Sequence, residues 1–208
     1  MVLKIALAAV VGCAFTETVG YFLHILLHSE KIAWLSRGHM IHHLKIYGPR
    51  RSLRQPGPYH DSVDGRYGFL GIGLEWLAPV VLILIGAVAL ASFVFGVPAS
   101  LQAAFIGTAL VWGKFMFGDL HDSMHVEGHW LATSRLTSAW FRRVRRLHDI
   151  HHLQFSDEGR MPTNFGIAFF GFDRLFGSYE STGGRFNERG YEAALKRYGA
   201  LIADPNGA

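Results

Sequence analysis

Ten of the twelve histidines in this 208-residue chain fall into four groups that recur in a fixed order. His24 and His28 form HxxxH, and His39, His42 and His43 form HxxHH. His121 and His125 repeat the first pattern, and His148, His151 and His152 repeat the second. Random placement would give roughly 0.04 HxxHH matches, so two copies are no accident of composition. On a helix, residues three and four apart share a face, with side-chain origins about 5–6 Å apart. HxxxH therefore aims two imidazoles at one point, and HxxHH aims one ring from one turn and two from the next. Ten rings suffice for two metal ions at about five nitrogens each, with positions left open for an oxidant. Imidazole suits iron, zinc and copper alike, so the spacing does not name the metal. His60 and His129 stand apart and are expected as polar groups at the membrane edge.

The elements that position these rings read as membrane spans. Half of the residues are apolar and 17% are charged, well below the share usual in a soluble domain. Val2–His28 is apolar apart from Lys4, Glu17 and a few hydroxyls, long enough to cross a bilayer, and it lacks the cleavage site of a signal peptide. No Asp, Glu, Lys or Arg occurs between Glu75 and Lys114, which fits two further spans broken by Gly96-Val97-Pro98. The expectation is an all-α membrane bundle of three spans with a histidine-lined cap. Residues 1–182 would form one embedded domain, and 183–208 a short soluble tail. Lys31, Arg37, Lys45, Arg50, Arg51, Arg54 and Arg66 follow the first span, and Arg135, Arg142, Arg143, Arg145 and Arg146 follow the third. That bias puts the histidines on the cytoplasmic side, with the N-terminus and the Gly96–Pro98 turn opposite. The basic surplus, a net charge of +4, follows the spans, so no nucleic-acid partner is expected. The single cysteine, Cys13, excludes iron–sulfur clusters and multi-cysteine zinc sites.

Other segments carry narrower expectations. Tyr47–Arg66 reads as a solvated loop touching headgroups, and the aromatic run Phe165–Phe176 as an interfacial or re-entrant helix. Glu17 and Lys114 each precede their HxxxH pair by seven and eleven residues, on the same helical face to within about 20°. They are expected to pair beneath the metals, where an unpaired charge is costly. Asp119, Asp122, Glu127 and Asp149 are candidates to orient ligand rings from a second layer. Asn164 reads as the cap of the helix that follows it, with ligation by its oxygen as the other role. Gly71, Gly73, Gly86, Gly107 and Gly113 are candidates for close helix approach.

The order HxxxH, HxxHH, HxxxH, HxxHH, closed by Asn164-Phe165-Gly166 and Asp173-Arg174-Leu175-Phe176-Gly177-Ser178-Tyr179, resembles the fatty acid hydroxylase superfamily. That superfamily includes sterol desaturases and carotenoid hydroxylases, and the likeness runs from Glu17 to about Tyr179. It implies a dimetal centre, usually iron with zinc as a possible substitute, which uses O2 to hydroxylate or desaturate a lipid taken from the bilayer. It implies a separate electron donor, a ferredoxin or small haem cytochrome with its reductase. By position, the implied ligands are His24, His28, His39, His42, His43, His121, His125, His148, His151 and His152, with Asp122, Asp149 and Asn164 as possible outer partners. Two departures bear on substrate. Tyr59-His60-Asp61 stands where many relatives have His-Pro, and the spans are fewer than the resemblance implies. His121-Asp122 resembles carotenoid hydroxylases, while the Asn164–Tyr179 ending is closer to the sterol and fatty-acid branch. Two other classes compete: a metal transporter, which would spread histidines across the membrane depth, and a zinc hydrolase, which usually needs only three protein ligands.

Overall fold

The computed structural model describes residues 1–59 and 73–203. Three helices are long and apolar enough to cross a membrane. The first, α1 (Val2–Leu27), runs unbroken, with no proline or capping interruption. The second, α3 (Leu74–Phe95), tolerates Pro79 near its start and ends on Gly96 in the left-handed conformation (φ 58°). Pro98 then presets the entry to α4 (Ala99–Lys114), so the Gly-Val-Pro break falls where the sequence puts it. A π-helical turn, Phe115–Leu120, joins α4 to the short α5 (His121–Met124). Together they make the third span, Ala99–Met124. No strand occurs among the described residues, only a single bridge between Gln55 and Val126.

The bundle is held mainly by α1 against α4. At Gly12 an added Cβ would lie 2.3 Å from Thr108 Oγ1 and 2.5 Å from the Phe105 carbonyl. The backbones approach here as only glycine allows. One turn on, Thr16 Oγ1 donates across the interface to the Ala109 carbonyl at 3.0 Å. The glycines expected to serve this purpose do not. Gly86 and Gly107 face open space, Gly113 sits in ordinary contact with Thr16, and Gly73 faces the Glu75 side chain. Gly71 lies outside the described residues.

Glu17 and Lys114 do not pair. The Glu17 carboxylate accepts from Trp112 Nε1 at 2.9 Å, and the Lys114 ammonium pairs with Asp119 five residues on. The intervening π turn brings i and i+5 side chains together, which a 3.6-residue count could not foresee.

Beyond the histidine ends of the spans sits a helical cap. Helix α2 (Ala33–Ile41) continues into a π turn, His42–Ile46. Helix α6 (Ser138–Leu153) buries Phe141, Val144, Leu147, His148, His151 and His152 along one face. The aromatic run ends in the short helix α7 (Gly171–Phe176). Phe172 and Phe176 pack on Tyr21 near the end of α1, at 5.8 and 5.6 Å, and Phe169, Leu175 and Phe176 stay exposed. Exposed apolar groups at the level of the last turns of a span suit an interfacial helix. Within residues 183–208, expected as a short soluble tail, lies α8 (Glu188–Ile202). Its Tyr191, Ala194, Tyr198 and Ile202 form a second core with Met40 and Leu44, and the Tyr198 hydroxyl donates to the His28 carbonyl at 2.8 Å.

Replacing Gly12 with Val should force α1 away from α4 and cost about 1–3 kcal/mol, the usual penalty of overpacking. Gly86→Ala should stay within about 0.5 kcal/mol. Thermal unfolding of both variants in the same detergent checks this, and equal midpoints would show that the close contact at Gly12 is not what holds the helices.

Candidate metal centre

All ten histidines of the four groups meet in one buried cluster at the end of the spans. Five of them, His24, His28, His39, His43 and His151, have ring nitrogens within 4.8 Å of one another. A second group joins His42, His121, His125 and His148. His152 groups by distance with His42 and His43; its Nε2 lies 3.2 Å from His42 Nε2 and 3.1 Å from His148 Nε2, so we place it with the second group. We call the two groups centre A and centre B.

Helical geometry explains the split. Successive residues turn by about 100°, so i and i+4 point within about 40° of each other while i+3 and i+4 diverge by about 100°. In the first HxxHH, His39 and His43 serve A and His42 serves B. In the second, His148 and His152 serve B and His151 serves A. Each HxxxH pair serves one centre, His24 and His28 for A, His121 and His125 for B. Each half of the chain thus supplies four rings to its own centre and lends one to the other.

The rings are aimed by backbone carbonyls. His24 Nδ1 donates to Phe165 O at 2.6 Å and His151 Nδ1 to Thr163 O at 2.6 Å. At centre B, His125 Nδ1 donates to Leu53 O at 2.8 Å and His152 Nδ1 to Tyr47 O at 3.2 Å. His42 Nδ1 bonds the Tyr59 hydroxyl at 3.1 Å. A carbonyl only accepts, so those four Nδ1 atoms carry the proton and a neutral ring then presents the lone pair of Nε2 inward. His148 Nε2 lies 3.0 Å from His125 Nε2 and 3.1 Å from His152 Nε2. It has one proton at most, so no more than one of these contacts can be a full hydrogen bond. The buried Nε2 atoms of His24 and His121 have no hydrogen-bond partner. Cations between the rings would resolve both problems.

The spacing fits as well. Neighbouring Nε2 atoms within each centre lie 3.0–3.2 Å apart. Two nitrogens each about 2.1 Å from one ion at that separation subtend roughly 90–100°, narrower than in a tetrahedral site and nearer the right angles of a higher-coordinate one. Burial, reinforced by the charge of neighbouring imidazoles, holds His39, His42, His43, His148 and His152 well below the usual histidine value. Burial lowers His151 to about 4. The rings are therefore neutral at pH 7, the form that binds metal.

The outer polar residues behave differently from expectation. Asp149 pairs with Arg54 rather than with a ring, and Asp119 with Lys114. Only Asp122 approaches one, 3.5 Å from His121 Nδ1. Asn164 caps no helix, since α7 starts at Gly171. Its fully buried amide donates to the carbonyls of Leu147 and Glu180 and accepts from Glu180 N. Asp173 accepts from Phe165 N, Gly166 N and Ser178 Oγ at 2.7–2.9 Å. These two side chains tie the closing stretch into a rigid strap that presents Thr163 O and Phe165 O to centre A. Residues 47–59, expected as a solvated loop, form the matching strap over centre B; the rest of that loop, with His60, lies outside the described residues. Tyr47 is fully buried and stacks on His125 at 4.1 Å. His129 stays out of the cluster, its Nδ1 accepting from Leu131 N at the start of a short turn. Trp76, 5.8 Å from His24 and stacked on Phe117, walls the centre from below.

The family model for fatty acid hydroxylases matches residues 9–178, a stretch that holds all ten clustered histidines, the strap over centre B and most of the strap over centre A. The chain belongs to the fatty acid hydroxylase family. No curated protein and no solved structure matches it. The match ends at Ser178, which donates to Asp173 in the strap beside centre A.

Two outcomes test the arrangement. A His24/His151 double Ala variant should lose one metal equivalent, whereas His148/His151, though closer in sequence, should lose two; His129→Ala should lose none. Metal analysis of purified protein decides, and equal losses from both double variants would refute the crossed assignment. Acid should also destabilise the fold. Imidazoles of the unfolded chain protonate near pH 6.5 and the buried ones do not, so stability falls as pH drops below that value. Each such ring costs about 1.4 kcal/mol per pH unit in that window. Unfolding at pH 5.5 should come well below that at pH 7.5, and an unchanged midpoint would show that the rings are already charged in the fold.

Proposed function

We propose that the chain is an O2-dependent hydroxylase of a membrane lipid (fatty acyl, sterol-like or carotenoid) with two iron ions held by its ten histidines. The observation that carries this reading is the cluster of ten histidines, in overlapping groups able to hold metal, at one end of three apolar spans. A relay for metal transport would spread ligands through the membrane depth, and a hydrolytic zinc would need three. Bound iron with open positions supplies dioxygen activation and oxygen insertion into a lipid C–H bond.

The residues of the chain do the rest. Centre A takes His24, His28, His39, His43 and His151; centre B takes His42, His121, His125, His148 and His152. The straps hold the ring tautomers, and Trp76, Phe165 and Tyr47 keep water from the rings, which protects a reactive oxidant. His28 is the most open of the ten rings. It borders a cleft of about 430 Å³ with an apolar side of Ile25, Leu26, Met161, Pro162 and Phe165 and a polar side of Ser29, Glu30, Lys31 and Arg160. Ile25 and Leu26 are exposed near the end of α1, so an apolar substrate can reach His28 sideways from the bilayer. Electrons come from a separate donor, a ferredoxin or small haem cytochrome. The basic residues after the first and third spans support a centre on the cytoplasmic side.

Lipid mass spectrometry of cells expressing wild type or the His151/His152 double Ala variant tests the reaction. A species gaining one oxygen only with wild type supports hydroxylation and names the substrate; loss of two hydrogens would make the enzyme a desaturase. Matching lipidomes, with metal and reductant supplied, would count against an oxidising enzyme.

A further inference from the structure

Away from the histidines, a cavity of about 210 Å³ lies between α6 and α7. Val144, Leu147 and Phe170 form its buried floor, and Trp140 and Phe169 stand exposed at its edges. Two guanidinium groups line it, Arg143 from α6 and Arg174 from α7. Among the described residues neither makes an ion pair. Arg174 lies 3.8 Å from the Tyr179 ring centroid, stacked on its face. The nearby acids are engaged elsewhere: Asp173 turns inward to Phe165 N, Gly166 N and Ser178 Oγ, and Glu180 accepts from Thr182. The cavity is therefore a cationic notch on an apolar floor.

Its depth is set by α7, which packs against the last turns of α1 and exposes Leu175 and Phe176. That is the level of the headgroups, where aromatic edges and basic side chains meet lipid. We propose that this notch binds one phospholipid of net negative charge, its phosphate between Arg143 and Arg174 and its chains over Trp140 and Phe169. Two planar guanidiniums suit phosphate oxygens better than two ammonium groups would. Their uncompensated charge selects an anionic headgroup over a zwitterionic one. Because the notch bridges α6, which carries His148, His151 and His152, to the strap that holds Asp173, a lipid here would brace the cap without touching either centre.

The test uses full-length protein purified in mild detergent and native mass spectrometry, with phosphatidylglycerol, phosphatidylcholine and inorganic phosphate as probes. One phosphatidylglycerol should stay bound to wild type. The Arg143→Ala/Arg174→Ala variant should bind it about thirtyfold more weakly, the worth of two basic side chains at a membrane surface. The Lys double variant should fall between. Metal content of all three should match, showing that the cap is folded. Phosphatidylcholine held as tightly as phosphatidylglycerol, or equal binding by wild type and the Ala variant, would overturn the proposal. Displacement of the lipid by millimolar inorganic phosphate would also overturn it, by showing a site for a free anion.

Discussion

Everything in this molecule depends on keeping ten imidazoles buried, neutral and pointed at two places. An imidazole inside a protein must find a partner for its N–H and for its lone pair, or lose the hydrogen bonds it had in water. Here backbone carbonyls take the Nδ1 protons of His24, His125, His151 and His152, leaving the Nε2 lone pairs no partner but one another. A cluster so built is suited to cations. The spans, the cap and both straps follow from that demand.

The crossed sharing of HxxHH has a mechanical consequence. Had each motif served one centre, the two halves of the cap could separate with their ions intact. Because His42 reaches into B and His151 into A, neither centre is complete until α2 and α6 have docked. Ions held by both groups would therefore clamp together parts of the chain about a hundred residues apart. That would couple metal binding to folding, as in small metal-dependent domains, only within a membrane cap.

Much of this was legible in the sequence, and what was missed has common causes. The spans, the break at Gly96 and the ten rings all rest on periodicity and composition, which act locally. Glu17 and Lys114 were matched by counting at 3.6 residues per turn, and the π turn at Phe115–Leu120 broke the count. The aspartates were expected to orient rings because carboxylates commonly do, but carbonyls do it here, and a carbonyl has no sequence letter. Asn164 and Asp173 reach the metals only through the backbone they tie. Such a role is visible once the chain is folded and is otherwise hidden among ordinary polar residues.

The two straps also differ in a way that bears on chemistry. The strap over A is knotted by Asp173, which takes three hydrogen bonds, and by the buried amide of Asn164. The strap over B is tied differently, by stacking of Tyr47 on His125, by the Tyr59 hydroxyl on His42 Nδ1, by the Arg54–Asp149 ion pair and by the bridge between Gln55 and Val126. It is centre A that includes His28, the ring bordering the cleft beside the end of α1. A side of the cluster that lacks a protein wall must keep its geometry by other means, so backbone ties matter most there. Asp173 on Phe165 N and Asn164 on Glu180 N supply such ties on that side.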